Sequence, residues 1–231
     1  MTKQHLKSLY APKTWDIARK ENIFTTRPKP GAHPFRLGVS INHLLKKNLG
    51  FASTTKESKT LLNNGSCYVN CKLVKNVHYL VGFMDSLSFP EIKKHYRVVL
   101  SEKGKVTLIE IDEKESKLKL SKITNKTLVK GGKFQLNTMD GRNILIKEDK
   151  YNTSDSILLD LESGEIKKSI ALKEKATIML IGGKHIGFVG QIENIDNNKV
   201  FFKNNKNDQT YETLKKFVFV IGESKSELKV Q

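Results

Sequence analysis

Beyond Pro90 no apolar stretch of this sequence is longer than a β-strand, and turn residues separate the stretches, which confines this half of the chain to sheet. Strands are expected at Tyr96 to Leu100, Lys105 to Ile111, Leu118 to Ile123, Thr127 to Val129, Phe134 to Leu136, Asn143 to Ile146 and Ser156 to Leu161. Gly131-Gly132 and Asp140-Gly141 supply the positive φ angles of tight turns, so Leu128 to Ile146 reads as consecutive hairpins. Lys126, Lys130, Lys133 and Arg142 cluster at those turns, either as a charged edge facing a phosphate backbone or as a merely solvated rim. From Ala171 onward, an apolar strand at Ala176 to Ile181 enters a glycine-rich turn carrying Lys184 and His185 and leaves as another strand. Strands at Lys199 to Lys203, Gln209 to Thr213 and Phe217 to Ile221 would complete a small barrel, and the polar residues after Gly222 are expected to fray.

Helical spacing is confined to the segment before that. Ile41, Leu44, Leu45 and Leu49 fall on one face opposite Lys46, Lys47 and Asn48, and Gly50 stops the pattern. Thr54 or Thr55 can cap a second helix, with Glu57 near its start and Leu61 and Leu62 facing inward; Lys56 and Lys59 complete its polar side. A small sheet follows, with a strand pair around a turn at Asn70-Cys71 and a further strand at Ser86 to Phe89. The fold class is therefore α+β and mostly β, divided as 1–36, 37–92, 93–170 and 171–231.

The chain carries 41 lysines and arginines against 24 aspartates and glutamates, a net charge of +17, while 38% of its residues are hydrophobic. A folded protein this basic attracts polyanions, because neutralising phosphates releases condensed counterions. Binding to an anionic membrane needs an amphipathic helix rich in Trp, Phe or Leu, or a long apolar run, and the sequence has neither. Nucleic acid is the expected partner. Residues 1–30 are polar throughout, without the apolar core of a secretory leader, so a cytoplasmic location is expected. Cys67 and Cys71 lack a second Cys or His pair and read as reduced thiols.

Residues 1–36 hold Lys3, Lys7, Lys13, Arg19, Lys20, Arg27, Lys29 and Arg36 against only Asp16 and Glu21, with prolines at 12, 28, 30 and 34. Such a composition is not expected to build a core. Trp15, Phe24 and Phe35 are interleaved with the charge, which suits an arm that sets cations on phosphates and rings on bases or sugars. A disordered basic tail is the alternative; the prolines, in contexts that favour extended polyproline geometry, favour an arm ordered by its partner.

The known catalytic patterns are absent. Gly183, Gly187 and Gly190 match neither a dinucleotide nor a P-loop spacing, and a strand rather than a helix follows them. His185 beside Lys184 lacks a carboxylate to orient it and suits a phosphate or base contact better than proton transfer. Histidines 5, 33, 43, 78 and 95 are scattered, and no nucleophile elbow occurs. No catalysis, metal, cofactor or small-molecule substrate is expected.

Three passages together resemble one family, the small-subunit ribosomal protein S4e of archaea and eukaryotes. His5 to Trp15 and Arg27 to Pro34 resemble its basic, proline-rich opening. Leu61 to Asn70 and Val81 to Leu87 are similar to the S4-type RNA-binding fold, in which a helix pair packs on a small sheet; position 71, commonly glycine there, is cysteine here. Ile178 to Ile195 resembles a KOW motif of SH3-like barrels, and Ile123 to Lys133 with Met139 to Asn143 resembles the family's central β domain. The resemblance implies a cytoplasmic constituent of the small ribosomal subunit that binds folded rRNA beside neighbouring ribosomal proteins. The contacts expected are the arm residues above with Trp15, then Lys46, Lys47, Lys56 and Lys59, the turn cations Lys126, Lys130, Lys133 and Arg142, and Lys184 with His185. The alternatives are a free KOW-containing regulatory or elongation factor, or an RNA-modifying enzyme with an S4-type domain.

Overall fold

The computed structural model describes residues 5–129, 131–204 and 209–230. They fall into two compact units, 1–117 and 118–231.

In the first unit, β1 (Leu6–Lys7) pairs antiparallel with β2 (Phe24–Thr25), and β3 (Gly38–Ser40) leads into a short helix, α1 (Ile41–His43). The helix continues over Leu44–Asn48 in a wider coil, closed by Leu49 N–H donating to the Leu44 carbonyl at 2.9 Å. The expected apolar stripe is there, with Ile41, Leu44 and Leu45 buried. α2 (Thr55–Asn63) starts at a full capping box: Thr54 Oγ1 accepts from Glu57 N–H, and the Glu57 carboxylate accepts from Thr54 N–H. Next come β4 (Tyr68–Val69), β5 (Lys72–Leu73), β6 (Leu80–Gly82), β7 (Ser86–Phe89), β8 (Lys94–Leu100) and β9 (Val106–Ile111). β6 pairs with β3, and the others form a sheet in the order β5-β4-β7-β8-β9. Asn70 and Cys71 turn the chain between β4 and β5 at φ +50° and +62°. The turn thus keeps the left-handed geometry that glycine would favour, with a cysteine in it.

Residues 5–36 depart from expectation. They contribute Leu6, Ala11 and Trp15 to the core, and Val106 N–H donates to the Thr14 carbonyl at 2.8 Å. The charge count hid this because three well-spaced apolar side chains suffice to dock a segment onto a core built by others. A second anchor is His33, whose ring packs on Gly82: a Cβ there would lie 2.2 Å from the imidazole. His33 Nε2 stands 3.0 Å from Asp85 Oδ2, both side chains buried, and Asp85 also accepts from Gly82 N–H and Asn70 Nδ2, each at 2.8 Å.

The second unit opens with β10 (Leu118–Val129), one continuous strand where two were expected. Its first part pairs with β13 (Ser156–Asp160), and after a register shift between Ile123 and Asn125 its second part pairs with β11 (Lys133–Thr138). The irregularity lets a single strand serve two neighbours. With β12 (Asn143–Ile146) and β14 (Ile166–Ile170) the order is β12-β11-β10-β13-β14, so the consecutive hairpins expected from the glycine turns are present. β15 (Thr177–Leu180), β16 (Val189–Asp196), β17 (Lys199–Asn204), β18 (Thr210–Leu214) and β19 (Val218–Gly222) form a second five-stranded sheet, ordered β18-β17-β16-β15-β19. The residues after Gly222 do not fray as expected. Glu227 N–H donates to the Ile221 carbonyl at 2.9 Å, and Leu228 and Val230 are buried.

Candidate nucleic-acid interface

Residues 5–36 present cations from a segment docked on the core. Lys7, Lys13, Lys20, Lys29 and Arg36 are exposed, and Arg27 is half-buried. Arg19, expected on a phosphate, is turned inward: its guanidinium donates to the carbonyls of Leu9 at 3.1 Å, Ala11 at 2.9 Å and Pro12 at 3.0 Å. It acts as a clamp on the turn that carries Tyr10, which is 78% exposed. Trp15 is a correction. Only 2% exposed, with its indole N–H on the Gly38 carbonyl at 2.8 Å and its ring 5.2 Å from that of Phe35, it cannot reach a base without unfolding the segment. The exposed Phe and Tyr rings of this segment are Tyr10, Phe24 and Phe35, of which Phe24 and Phe35 stood out in the sequence.

On the helices, Lys56 and Lys59 lie three residues apart, so they share a face of α2, and both are exposed. Lys47 is paired with Glu21 at 2.8 Å, which holds that carboxyl below its usual range. Lys46 is half-buried and makes no ion pair among the described residues.

In the second unit the cations divide differently. Lys119 and Asp140 form an ion pair at 2.8 Å with both side chains 2% exposed. Ser121 Oγ donates to Asp140 at 2.9 Å, the Thr138 hydroxyl donates to it as well, and Arg142 Nε stands 3.3 Å away. Burial alone would push this carboxyl up; Lys119 and the hydroxyls outweigh it and bring it down to about 2. Lys122 Nζ donates to the carbonyls of Lys215, Lys216 and Val218 at 3.1, 3.2 and 2.6 Å, and burial lowers its pKa to about 8. Neither buried lysine was singled out in the sequence; the available signal was two lysines inside the strand-length run Leu118 to Ile123. Of the expected turn cations, Arg142 belongs to the Asp140 network and Lys126 pairs with Asp149, while Lys133 is exposed. Lys130 and Lys3 lie outside the described residues. Lys184 is exposed, and His185 packs 4.5 Å from the Tyr211 ring and 5.3 Å from Phe188, with burial and Lys184 lowering its pKa.

Among the described residues no three His, Cys, Asp or Glu side chains converge as a metal site, and no helix is long and apolar enough to cross a membrane. Residues 92–166 match the ribosomal family S4e, and residues 2–36 match the RS4NT domain. The small ribosomal subunit protein eS4 of Methanosphaera stadtmanae is 41% identical over 228 residues, covering 97% of this chain and 94% of that protein.

The chain belongs to the S4e family of ribosomal proteins.

The eS4 protein of Methanocaldococcus jannaschii is 35% identical over 240 residues, covering 99% of this chain and 98% of that one. The crystal structure of the 30S ribosomal protein S4e from Thermoplasma acidophilum superposes with a TM-score of 0.71 at 26% identity, covering 81% of this chain and 96% of that one. Family membership bears out the resemblance to S4e read from the sequence. It also gives the exposed cations of this S4e chain a context that charge alone does not supply.

Proposed function

We propose that the chain is a structural constituent of the small ribosomal subunit, where it binds folded small-subunit rRNA beside other ribosomal proteins and carries out no chemistry. Its near full-length likeness to named small-subunit proteins carries this reading. Binding is electrostatic and shape-led: A-form RNA hides its base edges in a deep groove and leaves sugars and phosphates within reach. Of the cations expected to contact RNA, Lys7, Lys13, Lys20, Lys29 and Arg36 in the N-terminal segment, Lys56 and Lys59 on α2, and Lys133 and Lys184 in the second unit are exposed and available for phosphates. Arg27, Lys46 and Lys47 line the edges of those surfaces.

In this reading 1–36 is a basic arm, 37–92 an S4-type RNA-binding domain, 93–170 a central β domain and 171–231 a KOW-type barrel carrying His185. The close approach at Gly190, where a Cβ would meet the Lys203 carbonyl oxygen at 2.2 Å, is in keeping with a glycine-dependent strand pair in that last segment. Gradient sedimentation of a lysate before and after a high-salt wash tests the proposal. Retention with the small subunit through the wash is expected; migration at the top of the gradient would instead mark a free RNA-binding factor.

A further inference from the structure

Where α2 meets the sheet of the first unit lies a partly open pocket of about 210 Å³, walled by Leu45, Phe51, Leu61, Leu62, Cys67 and Phe89. Two of its lining hydrophobics, Phe51 and Ile92, are 36% and 48% exposed. Its polar side chains are Ser66 and Glu91, and they are bonded to each other, Ser66 Oγ donating to Glu91 Oε1 at 3.1 Å. Burial pushes the Cys67 thiol up to about 12, so the pocket offers no thiolate at neutral pH. No lysine or arginine among the described residues lines it. Beside it the charge turns basic. Lys93 follows Ile92 in the chain, and Lys94 is the register partner of Phe89 across the β7–β8 ladder; both are exposed and make no ion pair among the described residues.

These features select among occupants. A phosphate would find no cation inside, and an inserted base would set its polar edge against hydrocarbon, with Ser66 and Glu91 already paired. A single large apolar side chain fits: cavities of ~150 Å³ lined by such residues take up benzene, and this one is a little larger. We propose that the pocket receives a leucine, isoleucine, methionine or phenylalanine side chain from a neighbouring protein of the small subunit, an anchor flanked by an aspartate or glutamate that meets Lys93 or Lys94. The inference rests on the ribosomal reading above and adds a second kind of surface to it. Lys56 and Lys59 of α2 serve RNA, while Leu61 and Leu62 of the same helix serve a protein.

The test uses small subunits assembled with the full chain carrying a photoreactive ring in the pocket wall, as Phe51→p-benzoylphenylalanine and, in a second preparation, as Ile92→p-benzoylphenylalanine. Irradiation is expected to join the chain to another protein in a conjugate that resists ribonuclease. Mass spectrometry is expected to place both bonds in one segment, at a large apolar residue beside an aspartate or glutamate. Adding Leu61→Gln, which puts an amide into the wall, is expected to lower the yield at least about fivefold in subunits that still contain the chain. A conjugate with rRNA, with a second copy of this chain or with a segment lacking an acidic residue, no conjugate from either site, or a yield indifferent to Leu61→Gln would overturn the proposal. The two photoreactive sites are separate surface changes, so a fault in one variant leaves the other to decide. Failure of the unmodified chain to sediment with the small subunit removes the ribosomal reading instead.

Discussion

Strand β10 and helix α2 both carry lysines in basic surroundings, and they use them in opposite ways. On α2, Lys56 and Lys59 are exposed to solvent, unpaired among the described residues and free to meet phosphate. On β10, Lys119 and Lys122 are buried, one on Asp140 and the other on three carbonyls. The lesson is that a net charge of +17 is not a count of RNA contacts: part of it joins pieces of the fold, and the same holds for Arg19 on the hairpin.

The contrast can be broken from either side. Lys119→Ala leaves Asp140 buried and without its ammonium, so a loss of about 3–5 kcal/mol is expected in urea unfolding. Trp15→Ala, which empties the largest buried site in the hairpin segment, should cost a similar ~3–5 kcal/mol, and a variant that unfolds like the parent would return Trp15 to the surface. Acid should act through Asp140. Its folded pKa of about 2 lies below the ordinary 3.8 of an aspartate, so the stability it adds is fully present above pH 3.8 and is lost as pH falls through 2. That amounts to about 2 kcal/mol, read as the difference between parent and an Asp140→Asn variant across an acid titration. Cys71→Gly should stabilise by about 1 kcal/mol, since it relieves a side chain at φ +62°; a decrease in the thermal midpoint would show that the thiol has a packing role there.

Much of this was legible in the sequence. The capping box at Thr54 and Glu57, the apolar stripe of Ile41, Leu44 and Leu45, and the hairpins at Gly131-Gly132 and Asp140-Gly141 are local signals, and local hydrogen bonding or periodicity decided them. What was not legible depended on distant partners. Trp15 is buried because β3 and α1 offer it the Gly38 carbonyl and the His43 ring, and nothing within a few residues of it says so. Lys119 finds Asp140 across two hairpins, and Leu228 and Val230 are buried in a tail whose composition is polar. In the candidate interface, exposure of Lys7, Lys56 and Lys184 agreed with the charge pattern, whereas the inward turn of Arg19 could be recognised only once its carbonyl partners were in place.

The claim that exposed and buried lysines have separate tasks is tested most directly by the salt dependence of binding to a small-subunit rRNA fragment. Lys56→Gln/Lys59→Gln is expected to lower the slope of log affinity against log salt by roughly 1.5–2 while leaving the urea midpoint unchanged. Lys119→Met/Asp140→Leu, which swaps a buried pair for apolar groups of similar size, is expected to leave the slope as it was. A slope that falls with the buried pair and holds with the α2 pair would contradict the account.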